Sequence, residues 1–493
     1  MYSGYGFRDF EIGDVDVIKH EGMYHLFHLT LPNHAYIAHA VSKDGMKWRR
    51  VQNALFISDP PSWDDDMLWT MHVTPNPYKK GWRMFYTGLC MGDRSRIQRI
   101  GLALSDDLYN WVKVNNGPYP LEVPAGVYEN SIKEGRHWVS FRDPFYFKNN
   151  GKGYLIASAR VNKGPVIRRG CVALIEETGE NKYEVKEPLF QPMHYDDVEV
   201  PNLVKLNNRY YLIGSIREDI KIHYWWANEI KGPYHNFCDN VLLPQGNYAV
   251  RISHEEEKIL IWNFFYKGLT TSGKHLMVPP KELVVDEKGA LQLKTFAGFN
   301  SLVSETLDLS KLSPLGLLFS NSNAGTNIEG DSCRVHCESG FEAFMVNGKY
   351  TNFILSGKIS LEGELGKYGM VFRINDDGDG YYLSLDFFKG IVQIRAWGHR
   401  PHGFVEEAFQ YDQLQAAHYI PDKGPYKFSL IAYQQYIEFS INDRILLTLA
   451  DDTYEQGRAG FYVENAEMRI HDLELKIITE PETESYPMNI PNF

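Results

Sequence analysis

Three acidic residues far apart in the chain stand in strand-like runs: Asp14 in EIGDVDVIKHEGMYHLF, Asp143 in VSFRDPFYF and Glu199 in YDDVEVPNLVKL. Asp14 comes just ahead of the first core strand, with Asp16 as its obvious competitor. Asp143 is paired with Arg142, flanked by aromatic residues and followed by Pro144, which biases it towards extended geometry. Glu199 sits inside a Val-Glu-Val run ahead of Pro201. Any one acid of this kind is ordinarily a solvated surface group. The three together point to hydrolysis of a glycosidic bond, which needs two carboxyl groups in different protonation states, one donating a proton to the leaving oxygen and one attacking or activating water. A third acid can orient ring hydroxyls and raise a neighbour's pKa by like-charge repulsion.

Around this set, Arg142 can bind a hydroxyl or neutralise Asp143. Trp69 and His72, in WDDDMLWTMHV with Trp63 and Thr70, can stack on or hydrogen-bond a sugar, although tryptophan at such a place also serves to pack strands. Trp225 and Trp226 are adjacent in a strand, so they point to opposite faces and at most one can line a site. The hard oxygens of NDDGDGYY, Asn375 to Tyr382, lack the downstream acid of a calcium loop and read as a hairpin turn. Cys333, His336 and Cys337 lack the second pair that a tetrahedral shell requires, so they read as structural. No metal or cofactor is called for.

Acids so far apart meet only if the fold brings them to one axis. Runs rich in Tyr, Phe, Ile, Val and Leu alternate with turns, and long amphipathic helices are absent from the pattern. Five runs recur: YHLF from Tyr24, WRMFYTG from Trp82, GYLIASAR from Gly153, RYYLIGS from Arg209 and ILIWNFF from Ile259. Two are followed by a related hairpin, IAHAVSKDGMKW ending at Trp48 and IGLALSDDLYNW ending at Trp111. Repetition with several strands per unit is what a propeller requires. The prediction is an all-β chain: a five-bladed β-propeller over 1–295, a linker over 296–325, a C-terminal β-sandwich over 326–480 and an acidic tail over 481–493. In a propeller the inner strands surround one funnel, and each acid falls at the start of a different blade.

Composition narrows the partners. The 493 residues carry a net charge of −12, which disfavours a grip on nucleic acid or anionic membrane, since both need a basic surface. Aromatic residues reach 14 %, with 31 Tyr, 27 Phe and 10 Trp, side chains that suit strands and stack on sugar faces. An oligo- or polysaccharide substrate is therefore expected, and the oligomeric state stays open. The five cysteines are odd in number and scattered, unlike a disulfide framework, which fits a reducing compartment. With no signal-like start or apolar run of spanning length, a cytoplasmic protein is expected.

Gly13-Asp14 to Phe27, the FRDPF run from Phe141 and Glu199-Val200-Pro201 resemble the three acidic blocks of the five-bladed propeller glycosidases, glycoside hydrolase families 32 and 43. FRDP, the segment PPKELVVDEKGALQL and the sandwich behind it resemble family 32 most closely. The resemblance implies Asp14 as nucleophile, Asp143 as a transition-state stabiliser on the ring hydroxyls, Glu199 as general acid/base, and release of a terminal furanosyl residue, a β-fructofuranoside, with retention. The first block departs from family 32: Phe-Glu-Ile-Gly-Asp-Val-Asp stands where Trp-x-Asn-Asp-Pro-Asn is usual, and its spacing to YHLF resembles family 43 with Val15 in place of Pro. The alternatives are an inverting arabinofuranosidase or xylosidase in which Asp14 activates water, and a non-catalytic carbohydrate-binding propeller.

Overall fold

The computed structural model describes residues 1–4, 11–115, 117–255, 257–270, 273–309, 315–362, 366–399, 409–420 and 424–480. Five antiparallel sheets follow one another along the chain, at 11–56, 67–113, 141–185, 199–243 and 247–295. Their first strands, Glu11–His20, Met67–Pro75, Phe141–Asn149, Glu199–Leu206 and Asn247–His254, touch in cyclic order, the fifth returning to the first. This closes a five-bladed propeller around an axis lined by those five inner strands. Tyr2 stitches the ring from the N-terminal side, its carbonyl accepting from the amide of Met277 at 2.9 Å in the fifth blade. The five recurring aromatic runs are the second strands of the blades.

The repeated hairpin motif builds the same turn twice. In the first blade Ser42 Oγ accepts from the amide of Gly45 at 2.9 Å, and Asp44 Oδ1 from the amides of Met46 and Lys47 at 2.7 and 2.8 Å. In the second, Ser105 Oγ accepts from Leu108 at 2.9 Å, and Asp107 Oδ1 from Tyr109 and Asn110 at 2.8 and 2.7 Å. Short polar side chains that cap their own turn fix the loop without help from the core. The closing tryptophan then wedges against the preceding blade: Trp111 meets Phe27 edge-on with centroids 5.6 Å apart, and Trp48 meets Trp262 at 5.8 Å. Between each pair of neighbouring blades lies one apolar cluster, so the blades are held by burial across their faces.

Beyond the propeller, thirteen strands form one hydrogen-bonded network folded into a sandwich. The long strand Arg458–Ile478 belongs to both layers: its first half pairs with Lys367–Ile374 and its second half with Phe353–Glu362. Asn465 and Asp472, with φ of 51° and 50°, mark its bends. The stretch predicted as a linker, 296–325, is instead largely structured. Ala297–Leu302 is a 3-10 turn that buries Phe299 and Leu302, Val303–Asp308 pairs with the end of the long strand, and Gly316–Leu317 and the start of Ala324–Glu329 pair with Ser332–Met345. Its Pro, Gly, Asn and Ser residues form turns within the sheet domain, while the alternation in VSETLD carries the strand. Asn375 Oδ1 accepts from the amides of Asp377 and Asp379, each at 2.9 Å, making the hairpin turn expected there. The acidic tail at 481–493 lies outside the described residues, among which no helix is long and apolar enough to cross a membrane.

Candidate active site

Each of the five inner strands slips its register against the second strand at the same level: between Ile12 and Val15, Trp69 and Met71, Arg142 and Phe145, Glu199 and Asn202, and Tyr248 and Arg251. A bulge inserts one residue, bends the strand and re-aims its side chains. Asp143, Val200 and Ala249 sit in these bulges with φ of 59°, 47° and 52°, left-handed conformations that cost a non-glycine residue on the order of 1 kcal/mol or more each. Asp143 therefore does not take the extended geometry predicted from Pro144. Its amide is turned to Thr87 Oγ1 of the second blade at 3.1 Å, and its Oδ2 accepts from the amide of Val200 at 3.0 Å.

The bulges tie the predicted acids to neighbouring blades by hydrogen bonds. Thr70 Oγ1 donates to Asp14 Oδ2, tying the first blade to the second. Arg142 Nη2 donates to Glu199 Oε1 at 2.7 Å, its Nε lies 3.4 Å from Asp143 Oδ2, and Nη2 lies 3.3 Å from Asp197 Oδ2. Tyr248 OH donates to Glu199 Oε2, linking the fourth blade to the fifth. Arg251, fully buried, donates to the carbonyls of Pro201 at 3.1 Å, Pro144 at 3.0 Å and Met71 at 3.3 Å, so one guanidinium ties the fourth, third and second inner strands to the fifth.

Burial is the largest influence on the acids. It pushes Asp14 up to about 7, helped by the charges of Asp143 and Glu199 and opposed by the Thr70 hydroxyl and Arg251. Glu199 is also raised, by burial first and then by Asp197 and Asp143, against the pull of Arg142 and Tyr248. Burial likewise pushes the Tyr248 phenol well above its usual value, with Glu199 adding to the effect. Asp197 goes the other way: despite burial, Arg142 and Arg136 hold its carboxyl below the usual range. Near neutral pH such a site can hold one protonated and one ionised carboxyl side by side, the condition for acid-base work on one bond.

Asp14, Arg142, Asp143 and Glu199 are thus brought together, with Asp14 inside its strand and not ahead of it. Asp16 is used elsewhere: its Oδ2 accepts from the amide of Val73 at 2.5 Å and lies 3.4 Å from His72 Nδ1. His72 goes with Asp16, its ring 4.4 Å from that of Phe145. Trp69 directly precedes Thr70, half-buried, with its indole Nε1 buried and unpartnered among the described residues. Trp63 is packing: it stacks on Tyr86 at 5.7 Å and lies across Gly88 and Gly101, where a Cβ would come within 2.4 and 2.6 Å of its ring. Trp225 and Trp226 both fall in the third strand of the fourth blade, Lys221–Ala227, so neither lines the axis; Trp225 packs on Phe190 at 4.7 Å and Trp226 lies under Arg209 at 4.5 Å.

Tyr248, Asp197, Thr87 and Arg251 were not foreseen. For Tyr248 a signal exists: Arg142, Glu199 and Tyr248 occupy the same position, just before the bulge, in three successive inner strands. Aligning FRDPF, VEVPN and NYAVR on that position finds it.

Acids on the axis of a five-bladed propeller backed by a sandwich, together with the match to a glycosyl hydrolase domain, give the class, a glycosidase. Residues 15–248 match the family model of the glycosyl hydrolases family 32 N-terminal domain, a match that runs from the first inner strand to the start of the fifth. Among solved structures, fructan 1-exohydrolase IIa from Cichorium intybus is similar at 15 % identity over 95 % of both chains, with a TM-score of 0.69. Exo-inulinase from Aspergillus awamori is similar at 15 % identity over 95 % of this chain and 96 % of that one, with a TM-score of 0.68. A fructofuranosidase from Schwanniomyces occidentalis, complexed with fructose, gives 13 % identity, 95 % and 96 % coverage and a TM-score of 0.66. At these identities the likeness is one of fold. No curated protein matches the chain.

Proposed function

We propose that the protein releases a terminal β-fructofuranosyl residue from a saccharide, with retention of configuration. The observation that carries this reading is the convergence of Asp14, Asp143 and Glu199 from three blades onto one axis, with Asp14 and Glu199 both held above the usual carboxylate range. The match to the family 32 domain and the likeness to fructan- and inulin-named enzymes favour fructose over other sugars. In the first step the Asp14 carboxylate attacks the anomeric carbon while Glu199 gives its proton to the departing oxygen, leaving a glycosyl ester on Asp14. Arg142 and Tyr248 then stabilise the Glu199 carboxylate that has formed. In the second step Glu199 takes a proton from water, whose oxygen attacks the anomeric carbon and frees Asp14. Asp143 accepts from ring hydroxyls, and half-buried Trp69, next to the Asp14 partner Thr70, meets the sugar with its ring.

One observation favours a second reading, inversion on an arabinofuranoside or xyloside: the first block, with Gly13-Asp14-Val15-Asp16, lacks the Trp-x-Asn-Asp-Pro-Asn run usual in family 32. The two are separated by incubating the protein with sucrose, 1-kestose, inulin, levan and nitrophenyl arabinofuranoside and xyloside, and following the fresh product by NMR before mutarotation. Fructose released with retention supports the proposal. Arabinose or xylose released with inversion replaces it by the second reading, which also requires carboxyl groups about 6.5–9.5 Å apart in place of about 5 Å.

A further inference from the structure

Arg142 poses a problem for the acid role of Glu199. A guanidinium 2.7 Å from a carboxyl oxygen favours the ionised form, yet Glu199 must be protonated when the leaving group departs. Arg142 is not Glu199's alone, because the same Nη2 lies 3.3 Å from Asp197 Oδ2. Asp197 is buried and gripped in turn by Arg136, whose Nη1 donates to Oδ2 at 2.9 Å and whose Nη2 donates to Oδ1 at 3.3 Å. Arg136 is itself fixed on three sides, by Asp196 at 2.8 Å, by Ser140 Oγ and by the ring of Trp138, 4.2 Å from its guanidinium carbon. Asp196 is anchored by the fully buried Arg160 and by Arg217. A chain of alternating charges thus runs from the loop ahead of the third blade to the acid.

We propose that Asp197, clamped by Arg136, is a positioning residue for the acid/base: it occupies one edge of Arg142 and so limits the positive charge that Glu199 meets. This rests on the acid/base reading of Glu199. The groups that act on Glu199 are Arg142 and Asp143 from the third inner strand, Asp197 from the segment before the fourth, Tyr248 from the fifth, Asp14 from the first and Arg217 after the fourth blade's second strand. Asp197 is the anion that both touches Arg142 and is held by a guanidinium of its own. Removing its charge strengthens Arg142's hold on ionised Glu199. Removing Arg136 leaves the Asp197 charge unshared and does the reverse.

The test compares Asp197→Asn and Arg136→Gln with wild type in the pH dependence of kcat/KM, using an aryl glycoside with an acidic phenol and an alkyl glycoside of the same sugar. It is paired with a ¹³C titration of the Glu199 carboxyl in glutamate-labelled protein, assigned through Glu199→Gln. In Asp197→Asn the alkaline limb for the alkyl glycoside is expected about one pH unit lower, a roughly tenfold loss above it, with the aryl glycoside and KM little changed and the carboxyl midpoint lower. In Arg136→Gln both limb and midpoint move up. A merely structural role would lower both substrates alike at every pH, and that result, or a midpoint unmoved in either variant, overturns the proposal. Should Asp197→Asn fail to fold, Arg136→Gln decides by its opposite sign. A wild type that turns over neither glycoside sinks the proposed function, and the carboxyl midpoints still decide this inference.

Discussion

The molecule buries ionisable groups in two places, and they are built on opposite plans. At the junction of propeller and sandwich, Lys281 is fully buried, donates to the carbonyl of Pro279 at 2.9 Å and lies 5.3 Å from the ring of Tyr436. Glu438 opposite it accepts from Thr295 Oγ1 and Tyr436 OH, each at 2.5 Å. Opposite charges face one another there, and hydroxyls occupy both carboxyl oxygens. Around the axis, like charges are gathered, and three of the five bulges hold a residue with left-handed φ. Burial raises Glu438 as it raises Asp14, so a perturbed carboxyl alone does not mark a working site. The difference lies in what surrounds it: Glu438 faces a lysine and two hydroxyls, whereas Asp14 lies among further carboxylates, Asp143 and Glu199, from two other blades.

The sharpest break of this comparison exchanges a carboxyl for an amide at each place. Glu199→Gln is expected to lower kcat by about 10³-fold, within the usual span for loss of a general acid. Glu438→Gln is expected to leave kcat within about twofold while destabilising the protein by about 3 kcal/mol, because Lys281 is left buried without its counter-charge. Turnover and denaturant unfolding of both variants check this pair, and a large kcat loss in Glu438→Gln would erase the distinction.

A smaller effect follows from Asp14. Its carboxyl is at 3.8 in a free chain and about 7 in the folded site, so the folded state holds that proton more tightly. Stability contributed at low pH is lost as pH rises from about 4 through about 7, the reverse of an ordinary paired carboxylate. Asp14→Asn should therefore be more stable than wild type above pH 7, by on the order of 3 kcal/mol, and equal to it near pH 4. Thermal unfolding at the two pH values measures the difference. On the proposed mechanism, in which ionised Asp14 attacks, the acid limb of wild-type kcat/KM is expected near 7. Smallest is Thr70→Val, which removes a hydrogen bond favouring the Asp14 carboxylate and should move that limb upward by less than about one pH unit.

How much of this the sequence carried depends on distance along the chain. The acids were legible because each stands in a short apolar run beside turn or proline residues, and the blade count because the aromatic second strands and the Ser-x-Asp hairpins repeat locally. Register slips depend on the partner strand, so the left-handed turn at Asp143 and the role of Tyr248 could not be read from one strand alone. The choice between Asp14 and Asp16 depended on the second blade, where Thr70 meets one and Val73 and His72 meet the other. Composition misplaced the linker, because Asn and Gly at 321–330 shape turns inside a sheet as readily as they join domains.

On the proposed mechanism the funnel works through Asp14, while Asp16, two residues along the same strand, only holds blades together. This assignment is tested by kcat of Asp14→Asn and Asp16→Asn on the glycoside that wild type hydrolyses. A loss of about 10³-fold or more is predicted for Asp14→Asn. For Asp16→Asn, a kcat within about tenfold of wild type is predicted, together with a stability loss of about 1–3 kcal/mol from its weakened buried hydrogen bond. Turnover retained in Asp14→Asn and abolished in a folded Asp16→Asn would contradict it.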